Sequence, residues 1–234
     1  MLKRLKTLFV QKPTEIYEFE KNNPLGFWGE RVDFIYDGQF DYSKLDMYQK
    51  NHYRRYEFAM KTISPGEICG DFACGSGYGS VMLSSVAAKV VGADLNKKVI
   101  SEIKKRYRNN NGVEFINQNL LNLDFQDRFS SIISFETIEH FHEKDIYHLL
   151  SLFHKALKIK GRIIISTPYL QEDSEAARTL GFHKTFNIDE ERVKMWFGKT
   201  NFENPIFYYQ DYKDHVITPV KNSPDFLICE ANKA

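Results

Sequence analysis

Apolar and polar positions along the chain alternate between short buried runs and stretches of helical periodicity. Five apolar runs with the length of buried strands lie near residues 67–72, 89–93, 113–117, 130–135 and 161–166. A helix over 46–62 precedes them and another near 188–198 follows them, before two terminal strands near 206–210 and 226–230. This order predicts an α/β fold, a doubly wound and mostly parallel seven-stranded sheet with helices on both faces.

The helix before the fifth strand has a well-defined apolar face in the string EKDIYHLLSLFHKALKIKG. Its apolar residues recur at helical spacing: Ile146, Leu149, Leu150, Phe153 and Leu157. Gly161 follows as the predicted stop signal of this helix. The polar stretch after Pro168 then predicts an insertion after the fifth strand.

Composition predicts one main domain with an N-terminal appendage. With 234 residues, of which 42% are hydrophobic, the chain can bury a sizeable core. Residues 1–45 are irregular and rich in aromatic residues, and we predict an N-terminal arm that caps one end of the sheet. Residues 46–234 form the predicted domain.

Charge and cysteine usage restrict the partners and the compartment. A net charge of +1 provides no general field for a polyanion, so we do not expect nucleic acid as a partner. The apolar run near the N-terminus is too short to span a bilayer. Three cysteines without metal-ligand spacing are expected to be reduced thiols, which predicts a cytoplasmic protein. Nothing in the sequence indicates an oligomeric state.

The segment ICGDFACGSGYG, residues 68–79, is the most informative stretch of the chain. Its apolar run reaches Asp71 and then breaks into glycines at alternate positions, Gly75, Gly77 and Gly79, before a helical pattern resumes. Glycines let the backbone turn sharply and approach a ligand closely. The pattern predicts a ligand held against this turn, although a purely structural turn is the alternative.

A second signal follows about one strand and one helix later. The string VVGADLN predicts a buried strand that ends on Asp94. A carboxylate about 20 residues after a glycine turn is placed to accept hydrogen bonds from both ribose hydroxyls of a nucleotide. Together, the turn and the acid predict the nucleotide-binding half of a parallel α/β sheet.

The glycine segment resembles motif I, (D/E)-x-G-x-G-x-G, of class I S-adenosylmethionine (SAM)-dependent methyltransferases. Its positions correspond to Asp71, Ala73, Gly75 and Gly77, where Ala73 replaces the first glycine and adds a methyl group. The third glycine comes one position too early for the G-x-G-x-x-G of a dinucleotide dehydrogenase. The resemblance implies SAM as cofactor, with Asp71 orienting the methionine ammonium and the backbone at Ala73 and Gly75 approaching the ligand closely.

The resemblance extends over most of the chain and implies further donor-site residues. HYRRYEFA places Arg55 where a cation meets the methionine carboxylate, and QNLLNLDF places Asn119 and Leu120 at the adenine edge. An ordinary loop residue is the alternative for Asn119. Leu95, beside the ribose acid, and Glu136, after the fourth strand, complete the predicted donor contacts.

Titratable groups concentrate in the string FETIEH. In a helix, Glu136, Glu139 and His140 stand at i, i+3 and i+4 and converge on one face. The resemblance to the E-x-x-E-H site of small-RNA 3′-terminal 2′-O-methyltransferases and of ubiquinone-pathway O-methyltransferases adds His183 as a fourth ligand of a divalent metal such as Mg²⁺ or Mn²⁺. The alternative is that these residues have structural roles and bind no metal: Glu136 ends a strand, Glu139 caps a helix, and the backbone satisfies the hydrogen-bonding groups of His140.

Methyl transfer to an alcohol also needs a group that takes the proton, and our candidate catalytic residues are His140, His183 and Glu136. The chain resembles methyltransferases that modify sugars or phosphorus-containing groups of surface polysaccharides, so the implied acceptor is a nucleotide-linked sugar or a phosphorylated precursor. An RNA 3′-terminal 2′-O-methyltransferase and a non-catalytic nucleoside-binding or scaffold protein are the alternatives. An NAD-dependent oxidoreductase is disfavoured because the chain has no Tyr-x-x-x-Lys pair.

Overall fold

The structure is a computed structural model that describes residues 31–234. Seven strands form one sheet in the order β3-β2-β1-β4-β5-β7-β6. The strands are β1 (Ile68–Phe72), β2 (Lys89–Asp94), β3 (Val113–Asn117), β4 (Phe129–Phe135), β5 (Leu157–Pro168), β6 (Phe202–Gln210) and β7 (Phe226–Lys233). β7 is antiparallel to β5 and β6, and the pairs among β1 to β5 are parallel. The predicted doubly wound, mostly parallel sheet is confirmed.

Helices cover both faces of this sheet. They are α1 (Met47–Met60), α2 (Tyr78–Leu83), α3 (Lys97–Arg106), α4 (Glu143–Ala156), α5 (Glu175–Leu180) and α6 (Glu190–Lys199). α1 begins with a capping box in which Asp46 and Gln49 satisfy each other's backbone N–H groups. The predicted polar insertion contains α5 and the loops on either side of it.

The core consists of two layers, one on each face of the sheet. Consecutive strand residues point to opposite faces, so Ile132 packs with Phe153 and Trp196 on one side while Ile133 packs with Tyr56 on the other. All five are buried. Because both faces are covered, the strands have nearly continuous apolar sequences rather than an alternating pattern.

The boundary between α4 and β5 differs from the sequence-based prediction. α4 ends at Ala156, and Leu157 opens β5, where it pairs with Phe129. Leu157 is buried in the same core layer as the apolar face of α4, which explains why its spacing resembled a helix. Gly161 lies inside β5 and does not stop the helix; a Cβ there would lie 2.8 Å from the carbonyl oxygen of Lys158.

The described part of the predicted arm, from residue 31 onward, packs against the sheet domain. The ring of Phe34 stacks on Tyr78 with centroids 3.9 Å apart, and Asp33 forms an ion pair with Arg106. The first part of the arm, residues 1–30, lies outside the described residues. Within residues 31–234, no helix is long and apolar enough to cross a membrane. The three cysteines are buried and free, as predicted.

Candidate functional site

The glycine turn joins β1 to α2 at the carboxyl edge of the sheet. Ala73, Gly75 and Gly77 all have positive φ, of 63°, 52° and 80°. Gly77 is the N-cap of α2, and a Cβ there would lie 3.0 Å from the ring of Phe115. The left-handed conformation costs a residue with a Cβ about 1 kcal/mol, so the methyl group of Ala73 adds conformational strain as well as volume.

Gly79 has a different role from the other glycines of the segment. It lies within α2, where a Cβ would lie 2.0 Å from Cζ of Tyr56. The absence of a side chain therefore lets the Tyr56 ring lie directly on α2. The hydroxyl of Tyr56 donates to Oδ1 of Asp71 over 3.0 Å. Gly79 thus controls helix packing and the partner of Asp71, not the path of the turn.

Asp71 lies beneath the turn and is fully buried. Its Oδ2 accepts from the hydroxyl of Ser80 over 2.6 Å, and its Oδ1 accepts from Tyr56. Burial raises the pKa of Asp71 to about 6, while the hydrogen bonds from Ser80 and Tyr56 lower it and the charge of Asp94 raises it further. Through these two hydrogen bonds, the carboxylate links α1 and α2 to β1. Contact between Asp71 and a ligand ammonium stays a prediction.

Asp94 ends β2 and lies against the glycine turn, as the sequence predicts for a ribose acid. Its Oδ2 accepts from the backbone N–H of Gly75 over 3.1 Å, and its Oδ1 accepts from Asn96 N–H over 2.8 Å. A guanidinium nitrogen of Arg31, from the N-terminal segment, also lies 3.0 Å from Oδ1. The side chain of Asp94 is nearly buried, so the turn and Arg31 enclose it.

Leu95 and the two residues predicted at the adenine edge, Asn119 and Leu120, lie near the ends of β2 and β3. Leu95 is 68% exposed beside Asp94. Asn119 caps the short 3₁₀ turn Leu120–Asn122, because its Oδ1 accepts from the N–H of Leu121. Leu120 itself is buried. Leu95 therefore presents an exposed apolar side chain at this edge, and the Asn119 amide retains donors that the cap does not use.

Arg55 is fully buried at the same edge of the sheet. Its Nε donates to Oε1 of Gln210 over 2.8 Å, and its guanidinium carbon lies 4.0 Å from the ring centroid of Phe226. Its Nη1 lies 3.3 Å from Oε1 of Glu136. Among the described residues, neither Nη atom has a hydrogen-bond partner. The guanidinium is thus fixed on one side and keeps donors for a further group.

Glu136 follows β4 in a left-handed conformation, with φ of 48°. Its N–H donates to both the carbonyl oxygen and the hydroxyl oxygen of Ser166, and that hydroxyl in turn lies 2.6 Å from Glu136 Oε1. Strained backbone of this kind is concentrated at functional sites. In this conformation the carboxylate faces Arg55 of α1, so the two oppositely charged side chains meet just beyond the end of β4.

Three of the four predicted metal ligands come together. Ligand atoms of Glu139, His140 and His183 all lie within 4.8 Å of one another, and Glu139 is 1% exposed. The rings of the two histidines meet edge to face with centroids 4.9 Å apart. The insertion is held there because the backbone N–H groups of Lys184 and Thr185 donate to the carbonyl oxygen of Glu139.

Glu136 is not a member of this cluster, contrary to the expected four-ligand set. A 3₁₀ turn, Ile138–His140, replaces the expected helix, and Glu136 precedes it with positive φ. The i, i+3, i+4 arrangement therefore does not form. The carboxylate of Glu136 instead contacts Arg55 and Ser166.

Hydrogen bonds at Nδ1 orient both histidines of the cluster. Nδ1 of His140 lies 3.0 Å from the carbonyl oxygen of Phe182, and because a carbonyl can only accept, this nitrogen carries the proton. Nδ1 of His183 faces Oε1 of Gln171 in the same way. The backbone therefore satisfies one side of His140, as one interpretation of the sequence expected. In the neutral ring, Nε2 is left as the basic nitrogen.

Five residues that contribute to this edge of the sheet were not predicted from the sequence: Arg31, Tyr56, Ser80, Ser166 and Gln210. Two of these had a usable signal. Ser80 follows the last glycine of the turn directly, and Ser166 ends the apolar run of β5. Gln210 is 155 residues from its partner Arg55, and no local pattern marks it.

Comparison with known proteins supports a methyltransferase. Residues 70–161 match the family model described as a methyltransferase domain. A "Probable S-adenosylmethionine-dependent methyltransferase" of Mycolicibacterium smegmatis is 26% identical over 120 residues, which are 50% of this chain and 45% of that protein. A similarly named Mycobacterium tuberculosis protein is 25% identical over 120 residues, or 42% of its length. The chain thus spans less than half the length of these relatives.

Solved structures with the same architecture include SAM-dependent enzymes. Magnesium protoporphyrin IX methyltransferase from Synechocystis, with S-adenosylhomocysteine (SAH) bound, superposes with a TM-score of 0.62 at 17% identity and covers 95% of each chain. A SAM-dependent methyltransferase from Mesorhizobium loti has a TM-score of 0.63 at 15% identity and covers 80% of this chain and 100% of its own. Residues 70–161 of this chain thus match a methyltransferase domain, and the chain shares its overall fold with SAM-dependent methyltransferases of known structure.

Proposed function

We propose that the protein transfers a methyl group from SAM to an oxygen atom of a small molecule. The proposed acceptor is a nucleotide-linked precursor of a surface polysaccharide, either a sugar or a phosphorus-containing group. The observation that carries this proposal is the cluster in which Glu139 and His140, shortly after β4, meet His183 of the insertion. A buried carboxylate beside two oriented imidazoles suits the deprotonation of a hydroxyl group.

On the donor side, the proposed contacts follow the polarity of SAM. Asp94 accepts from the ribose hydroxyls, and the backbone of Gly75 and Gly77 lies against the nucleoside. The methionine end of SAM carries a carboxylate and an ammonium group. Arg55 and Glu136, whose charged atoms lie 3.3 Å apart, have the opposite charges to bind this zwitterion, with Arg55 on the carboxylate and Glu136 on the ammonium.

On the acceptor side, the oxygen attacks the methyl carbon in line with the sulfur. The new carbon–oxygen bond forms as the carbon–sulfur bond breaks, and its electron pair returns to sulfur to give neutral SAH. Nε2 of His140, whose other nitrogen donates to Phe182 O, takes the hydroxyl proton. His183 and Glu139 stabilise the resulting imidazolium or position the acceptor. Placing the two reactants in this pose supplies much of the acceleration.

The cluster also fits a divalent metal. One carboxylate and two imidazoles are a ligand set used by Mn²⁺, Fe²⁺ and Zn²⁺, and the ring nitrogens opposite the ligand side are held by a carbonyl and an amide oxygen, as is typical of metal-binding histidines. A metal held there would lower the pKa of the acceptor hydroxyl. The proposed ligands are Glu139, His140 and His183, without Glu136.

A second candidate activity is 2′-O-methylation at the 3′ end of an RNA, because the same cluster would serve it. Against it stands the net charge of +1, since tight RNA binding requires a basic surface. A protein that binds SAM without turnover would also keep the glycine turn and Asp94. It would not need the two oriented histidines, and for this reason we favour an enzyme.

A screen with methyl-labelled SAM tests the proposal directly. Nucleotide sugars, phosphorylated small molecules and short RNAs are offered as acceptors, and label is counted in each product. We expect transfer to a nucleotide sugar or phosphorylated precursor. Label only in RNA would replace the first proposal with the second, and SAH binding without transfer to any acceptor class would favour the non-catalytic protein.

The cluster is tested with paired variants and a chelator. Glu139→Gln is expected to lower turnover strongly while SAH binding persists, whereas Glu191→Gln, the same change on an exposed residue of α6, leaves turnover unchanged. If a metal is used, EDTA removes activity and Mn²⁺ restores it. Full activity of Glu139→Gln would refute the role of the cluster.

A further inference from the structure

A buried polar network joins α1 to the end of β6. The side-chain amide of Gln210 accepts from Nε of Arg55 over 2.8 Å and donates to the carbonyl oxygens of Asn51 and His215 over 3.1 and 3.0 Å. Asn51 Oδ1 contacts Nδ1 of His215. Asn51 and Arg55 are four residues apart on α1, so their side chains lie on the same face of the helix.

This network leaves several buried donors without an acceptor. Asn51 is 1% exposed and Arg55 is 0% exposed. Among the described residues, Nδ2 of Asn51 and both Nη atoms of Arg55 have no hydrogen-bond partner, and Nη1 has only its ion pair with Glu136. Leaving buried donors unsatisfied is costly, and it is costlier when the group is charged. Every unsatisfied atom in this group is a nitrogen donor, so the missing partner is an acceptor with several oxygen atoms.

We propose that Asn51 binds the carboxylate of the methionine moiety of SAM beside Arg55, and that Gln210 is the positioning residue of this subsite. The inference rests on the proposed function, because it assumes SAM as the ligand. By engaging Nε and no other nitrogen of Arg55, Gln210 leaves both Nη atoms facing away from itself, in the planar fork that pairs with a carboxylate. Asn51 adds an uncharged donor one helical turn away.

Charge in the subsite supports a carboxylate rather than a more highly charged group. Glu136 lies 3.3 Å from Nη1 of Arg55 and offsets part of the guanidinium charge. A dianionic phosphate would be repelled by Glu136, whereas an amino acid end would place its ammonium on Glu136 and its carboxylate on Arg55 and Asn51. The methionine moiety of SAM carries both groups on one carbon atom.

The test compares two ligands that differ in the amino acid end. SAH carries the carboxylate, and 5′-methylthioadenosine has the same nucleoside and sulfur without it. Asn51→Asp keeps an oxygen toward His215 but replaces the donor with a negative charge. We expect Asn51→Asp to weaken SAH binding by about 10-fold or more, since a charged hydrogen bond is lost and a repulsion is added. Binding of 5′-methylthioadenosine should be unchanged.

Calorimetric titration of the intact protein with both ligands gives the ratio of the two affinities. A general loss of structure would weaken the binding of both ligands and leave this ratio unchanged. Asn109→Asp, the same substitution at an exposed position, is the control for added charge. Asn51→Ala is the second variant should Asn51→Asp fail to fold, and its SAH affinity should fall severalfold. An unchanged affinity ratio in a folded Asn51 variant would overturn the assignment of Asn51.

The positioning role of Gln210 is tested by coupling. Gln210→Met keeps the side-chain length and removes both hydrogen-bonding atoms, and it should lower the ratio of SAH to 5′-methylthioadenosine affinity. In an Arg55→Met background, the same change should have no further effect on the ratio, because Gln210 acts through Arg55. Additive effects would overturn that role. If the wild-type protein binds neither ligand, the proposed function fails; if it binds both, only the subsite is in question.

Discussion

The contact between Gly79 and Tyr56 predicts a large effect of a single methyl group. In Gly79→Ala, the new Cβ would lie 2.0, 2.2 and 2.4 Å from three ring atoms of Tyr56. Carbon atoms in contact are about 3.5–4.0 Å apart, so the ring must move by about 1.5 Å. It is held by its hydrogen bond to Asp71 and by edge contacts with Tyr78 and Phe135.

The cost follows from these contacts. Overpacking costs about 1–3 kcal/mol, and loss of the buried hydrogen bond to Asp71 costs about 1–3 kcal/mol more. Alanine returns about 1 kcal/mol through its higher helix propensity. We therefore expect Gly79→Ala to lower the free energy of unfolding by about 3 kcal/mol, which at this chain length lowers Tm by roughly 6–12 °C.

Gly198 offers a matched control. It also lies in a helix, α6, but a Cβ at this position would have no atom within 4 Å. Gly198→Ala should therefore stabilise the protein by up to about 1 kcal/mol. Urea unfolding followed by circular dichroism measures both variants. Equal stability of Gly79→Ala and the wild type would refute the steric argument, and equal losses in both variants would show that the effect is not specific to the Tyr56 contact.

Three further predictions concern charge and orientation. The pKa of Asp71 in the folded protein, about 6, exceeds its ordinary value of 3.8, so the free energy of unfolding should fall by about 3 kcal/mol as the pH rises from below 3.8 to above 6. Urea unfolding between pH 4 and 8 should show this decrease in the wild type and not in Asp71→Asn. Parallel pH profiles of the two proteins would contradict the prediction. Under the proposed donor contacts, the ribose and Arg31 compete for Asp94, so Arg31→Ala should tighten SAH binding by roughly 2- to 10-fold in calorimetry; weaker binding would mean that Arg31 contacts the ligand. Under the proposed mechanism, Gln171→Leu removes the hydrogen bond that orients the ring of His183 and should lower methyl transfer by about 10- to 100-fold, while Tm changes by no more than a few degrees; unchanged transfer would remove His183 from the proposed mechanism.

Local sequence patterns, which involve residues close together in the chain, predicted much of the fold. Buried parallel strands need apolar residues on both faces, and each of the five apolar runs before residue 170 corresponds to a strand. The glycine turn and Asp94 also lie where the sequence placed them, because the turn directly follows β1 and Asp94 is the last residue of β2. The error at Leu157 is of the same kind, since a residue buried in the same layer as a helix follows the helix periodicity by coincidence.

The arrangement of side chains in the candidate site was harder to predict from the sequence. The prediction for Glu136 assumed an α-helix immediately after β4, whereas a positive φ and a 3₁₀ turn redirect its carboxylate. A left-handed glutamate has no sequence signature, because its strain is offset by contacts with Ser166 and Arg55 formed in the folded state. The contact between Gln210 and Arg55 depends on the order of the strands, which a local pattern does not specify.

The place of β7 has a consequence for folding during synthesis. Among the described strands, β7 is made last, yet it lies between β5 and β6 and pairs with both. While the ribosome is still translating the residues of β7, the nascent chain exposes two unpaired strand edges, from β5 and β6. Such edges associate readily with other chains. Chaperone capture of the nascent chain should therefore persist until residues 226–233 have left the exit tunnel.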